Sequence, residues 1–123
     1  MKIIVALAVI IVAALHAGFL ALEMFFWDHP VGRDVFAMTA EQSASTAVLA
    51  ANQGLYNGFI AAGLLWGLIA RKRDVVIFFL LCVIIAGVFG AVTAKPTILL
   101  TQAVPGAIAL LFVFLARPRR AKG

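Results

Sequence analysis

Seven side chains carry the chemistry this sequence could do: His16, Glu23, Asn52, Gln53, Tyr56, Asn57 and Gln102. A carboxylate and an imidazole can hold charge or pass a proton, and a phenol can assist. The amides of Asn and Gln donate and accept hydrogen bonds, so they orient a ligand. Asn52, Gln53, Tyr56 and Asn57 crowd into one short run, Ala51–Phe59, reading ANQGLYNGF. His16 and Glu23 are seven residues apart, so on a helix they lie within about 20° of one face. At the helical rise they are about 10 Å apart along the axis, too far to share one metal ion. No second histidine is placed to complete a haem site, and no nucleophile beside His16 completes a Ser-His-Asp arrangement. No metal or cofactor is expected. The chemistry that remains is ligand binding through hydrogen bonds with a proton-linked carboxyl, or acid–base catalysis by Glu23, His16 and Tyr56.

The elements that position these residues are apolar. Of 123 residues, 65% are hydrophobic and 12% charged, against about half and a quarter in a soluble domain. Mean hydropathy is +1.14. One all-α membrane domain, 1–123, is expected, with spans at about 3–26, 41–70, 75–93 and 97–116 and a basic tail at 117–123. The first is read as a retained span, since Leu15 suits a leader cleavage site after Ala17 poorly and the apolar run continues to Trp27. Trp27 marks an interface, and Asp28-His29-Pro30 stops the helix. Thr39 followed by Gln42 reads as a capping box opening the second span. Pro105-Gly106 predicts a kink in the last span, because proline lacks the N–H and crowds the preceding turn.

On the second span Asn52, Gln53 and Tyr56 share one arc, which Asn57 extends. Gly54 and Gly58 lie on a small-residue face in GxxxG spacing, where another helix can approach closely. Val48, Leu55, Phe59 and Trp66 leave a narrow strip for lipid. Lys2, the turn at 71–73 and the basic tail fall on one side of a four-span model, and Arg33 and Lys95 on the other. The positive-inside rule therefore puts both termini in the cytoplasm, and short loops favour an up-and-down bundle. The net charge of +5 belongs to this asymmetry and not to nucleic-acid binding. Cys82 is the single cysteine, so neither an intramolecular disulfide nor a cysteine metal framework is available.

Depth gathers the polar groups in the outer half of the bilayer. Glu23 falls roughly 5 Å in, Gln102 roughly 8 Å, Asn52 and Gln53 roughly 10–12 Å, and His16, Tyr56 and Asn57 roughly 15–18 Å. Facing one another, they would line an outward-opening pocket, with Asn52, Gln53, Tyr56 and Asn57 opposite His16 and Glu23. Trp27, Arg33 and Phe36 would sit over its mouth as a lid.

The chain resembles a family of small bacterial four-helix inner-membrane proteins, domain of unknown function 1304. The resemblance rests on His16, EMFFW (Glu23–Trp27), PVGRDVF (Pro30–Phe36), ANQGLYNGFIAAGL (Ala51–Leu64) and Gln102 with Pro105. It implies four spans and a bacterial inner (cell) membrane location, and it names no activity. The expected function is a pocket that binds or passes a small polar molecule, ion or lipid head group. The partners are the bilayer and that ligand, and a transporter this small would need a homodimer. One rival is a membrane-embedded enzyme using Glu23, His16 and Tyr56 on a lipid-like substrate. The other is a structural or accessory protein whose polar residues only tie helices together.

Overall fold

Long apolar runs broken by short polar turns satisfy their backbone groups as helices, and the computed structural model describes helices and turns over residues 2–116 together with Pro118. The described residues contain no strand. The helices are α1 (Ile3–Phe25), α2 (Pro30–Val35), α3 (Ala40–Ile69), α4 (Arg73–Thr93) and, after a π-helical turn at Leu99–Ala103, α5 (Val104–Leu115). α1 and α4 are long and apolar enough to cross a membrane. The basic tail at Arg117, Arg119, Arg120 and Lys122 lies outside the described residues.

The chain divides into two compact units, Ala13–Ala62 and Met1–Val12 with Gly63–Gly123. In the second, α4 meets the π-turn and α5 by shape. A Cβ on Gly87 would stand 2.7 Å from the Ala103 nitrogen, and one on Gly106 2.9 Å from Val83 Cγ1. Leu80, Val83, Ala103, Ala109 and Val113 form the buried interior there. Pro105 offers no N–H to the turn before it. The helix widens ahead of it, and the Val104 N–H bonds five residues back to Leu99. The π-turn is the form this irregularity takes at the proline.

In the Ala13–Ala62 unit, α1 packs on α3, and the connection between them is not a plain loop. Pro30 occupies the first turn of α2, and the His29 side chain caps it by accepting from the Val31 N–H at 3.1 Å. The residues read as a helix stop therefore also start a helix, as proline after a capping residue does. The expected capping box is present. The Thr39 N–H donates to Gln42 Oε1 at 2.9 Å, and the Gln42 N–H donates to Thr39 Oγ1 at 3.1 Å. α2 ends in a Schellman turn, with Met38 N–H on Arg33 O and Ala37 N–H on Asp34 O. This puts Ala37 at φ 52°, where glycine is the usual occupant.

Candidate functional site

Glu23 stands in the last turns of α1 and Asn57 in the middle of α3, and glycine lets them meet. A Cβ on Gly54 would lie 2.6 Å from Met24 Cγ and 3.1 Å from Glu23 Cβ, and one on Gly58 2.6 Å from Leu20 Cδ1. Across this contact the Asn57 amide donates to Glu23 Oε1 at 3.2 Å. Glu23 Oε2 is also buried, and the described residues offer it no hydrogen-bond donor. A carboxyl group held this way has one oxygen fixed and one able to take a proton or a donor from a bound ligand. His16 is 1% exposed and meets Phe19 edge-on at 5.4 Å between ring centroids.

The expected facing of the second span needs correcting. α1 lies on the glycine side of α3, and that side carries Asn57 alone of the polar run. Taking about 100° per residue, Asn57 is roughly 60° from Gly54, whereas Asn52 and Tyr56 are roughly 160° from it and Gln53 roughly 100°. Asn52, Gln53 and Tyr56 are exposed, and the Asn52 amide donates to Val48 O of its own helix at 3.0 Å. Close backbone approach decides the outcome, because Leu20 and Met24 fit only where α3 has no side chain. Gln102 belongs to the π-turn, its amide 3.5 Å from Val83 O.

The residues expected to form a lid are tied to the first turns of α3. The Trp27 indole N–H donates to Thr46 Oγ1 at 2.9 Å, and the Trp27 and Phe36 rings lie 4.8 Å apart. Arg33 donates through Nε to Ser43 Oγ at 3.0 Å and through Nη2 to Asp28 Oδ1 at 3.0 Å. Ser43, fully buried, donates to the same Asp28 oxygen at 2.8 Å. The hydrogen bond from Ser43, with that from Arg33, holds the Asp28 carboxyl below its ordinary range. Sequence reading missed Asp28 and Ser43, because residues 15 apart in different elements leave no periodic signal. Among the described residues no three His, Cys, Asp or Glu side chains gather as metal ligands would.

Residues 10–114 match the family model described as a protein of unknown function (DUF1304). The chain belongs to the DUF1304 family. The match with DUF1304 takes in the Glu23–Asn57 pair, the Asp28–Arg33–Ser43 group and the whole of α3. The chain is also similar to the uncharacterized protein YpaA of Lactococcus lactis subsp. lactis (strain IL1403). The two are 31% identical over 97 residues, covering 76% of this chain and 82% of the relative. No solved structure matches this DUF1304 chain.

Proposed function

We propose that this DUF1304 protein is a multi-pass protein of the bacterial inner (cell) membrane, its four apolar segments crossing as an up-and-down bundle with both termini in the cytoplasm. In its outer half, the Glu23–Asn57 pair forms the core of an outward-opening polar pocket. That pocket binds or passes a small polar molecule, ion or lipid head group. Glu23 is the charged or proton-linked member, Asn57 orients it, and His16 is the deeper proton partner on the same helix.

The observation that carries this reading is the Glu23 carboxyl, one oxygen bonded to Asn57 and the other buried with no donor among the described residues. Within a span, an ionisable group is costly and is expected to serve a pathway or a ligand. The lengths and apolarity of α1 and α4 support the membrane setting. So do large apolar side chains turned outward along them, such as Ile4, Leu7, Ile85 and Val92, which lipid suits better than water. Lys2 and the Arg71–Arg73 turn support the orientation.

The structural rival draws on the same hydrogen bond, read as a simple tie between α1 and α3. A thermal melt in detergent separates the two, with methylammonium chloride as probe against sodium chloride at equal concentration. The pocket reading expects Glu23→Gln to fold with nearly the wild-type Tm and to lose the stabilisation by methylammonium that wild type shows. A Glu23→Gln variant that melts far lower, with no methylammonium effect on either protein, would leave only the tie. Reporter fusions after Arg73 and at the C-terminus test the orientation, and both should report cytoplasm.

A further inference from the structure

The side of α3 turned away from α1 has a pattern of its own. Ser45, Val48, Asn52, Leu55, Phe59 and Ala62 follow at alternating steps of three and four, and all six are exposed. That is the a/d spacing of a coiled-coil seam, with Asn52 at an a position. The exposure is large for apolar groups, 78% at Val48 and 54% at Phe59. Beside the seam, Gln53 and Tyr56 are exposed too, and the described residues give neither side chain a hydrogen bond.

Lipid chains suit Val48, Leu55 and Phe59 but offer nothing to the Gln53 amide or to the Asn52 amide beyond the one N–H that donates to Val48 O. A side-chain amide is both donor and acceptor, so it complements a copy of itself. Residues 45–62 contain no Lys, Arg, Asp or Glu, so two copies of this face do not repel. In a parallel pair related by a two-fold axis along the helices, each a and d residue meets its own counterpart. Asn52 then faces Asn52 of the second copy and fixes the register.

We infer that the exposed seam Ser45–Ala62 of α3 is the contact through which two copies of this chain pair in the membrane, with Asn52 bonded across the two-fold axis. The inference rests on the proposed crossing of the membrane by α3. It requires nothing of the Glu23–Asn57 pair, which lies on the opposite side of the helix.

The experiment is disulfide cross-linking in native membranes of full-length protein, with Cys82→Ala as background. Single cysteines replace Val48, Leu55 or Phe59, and Ile85 on α4 serves as the control. Covalent dimer is expected at the three seam positions and not at Ile85. In a detergent dilution series, Asn52→Ala should weaken the dimer by about 3- to 30-fold, while Asn52→Gln retains most of it. No cross-link at the seam, or equal cross-linking at Ile85, overturns the pairing. Carbonate extraction of the same membranes keeps the two readings apart. Protein that stays in the pellet without cross-linking refutes only the dimer, and protein released to the supernatant refutes the membrane crossing as well.

Discussion

Gly87 and Gly54 both sit where two helices touch, yet they hold different kinds of contact. Gly87 lies against the backbone of Ala103, in a unit packed by apolar shape with few polar ties. Gly54 lies against the side chains of Glu23 and Met24, in a unit where hydrogen bonds recur from the Glu23–Asn57 pair to the Asp28–Arg33–Ser43 group. In one unit glycine closes a seam. In the other it brings a carboxyl group within reach of an amide. The same small residue at a helix contact can serve packing alone or set up chemistry, and its neighbour decides which.

Adding one methyl group at each glycine separates the two contacts most sharply. Gly87→Ala meets backbone that cannot turn aside, and overpacking of this kind should cost about 3 kcal/mol or more. Gly54→Ala meets the Met24 side chain first, which can move, so it should cost about 1–2 kcal/mol. Thermal melts of the two variants in one detergent give the ranking, and equal losses would erase the distinction.

Between the two glycine variants falls Asn57→Ala, which removes the donor on Glu23 Oε1 and should cost about 1–3 kcal/mol. Glu23→Gln keeps an oxygen that can accept from the Asn57 amide, so it should cost far less than Asn57→Ala in the same melt. Ser43→Ala should cost about 1 kcal/mol through its buried hydroxyl, and it has a pH signature. The folded Asp28 carboxyl lies below its unfolded value, so its stabilisation is present above the unfolded value and lost as pH falls through the folded one. Removing the Ser43 bond should move this acid-side loss to higher pH in a melt series. The smallest effect, and of opposite sign, is Ala37→Gly. Relief of a left-handed alanine should raise stability by about 1 kcal/mol.

Much of this was legible in the chain. Thr39 and Gln42 declare their capping box by spacing, and Gly54 and Gly58 declare a close approach. Which helix would take that approach was not legible. The helical wheel puts Asn57 at the edge of the arc that Asn52, Gln53 and Tyr56 share, and spacing alone does not say which part of α3 another helix covers. The wheel could not say that α1 would choose the glycine side, since that depends on Leu20 and Met24 finding room. The π-turn was half legible, because Pro105 announces an irregularity without giving its form. The Asp28–Ser43 bond was hidden, since contacts between distant elements leave no mark in local sequence.

The proposed pocket at Glu23, open to the outer face of the membrane, can be probed from outside the cell. Its most direct test is the labelling of Glu23→Cys, in the Cys82→Ala background, by a membrane-impermeant cationic thiosulfonate added to intact cells. Asn57→Cys serves as a second probe of the site and Ile11→Cys, at an exposed apolar position of α1, as the control. Rapid modification is expected at residues 23 and 57 and none at residue 11. Failure of both site cysteines to react in intact cells, with reaction after the protein is unfolded in detergent, would contradict the proposed pocket.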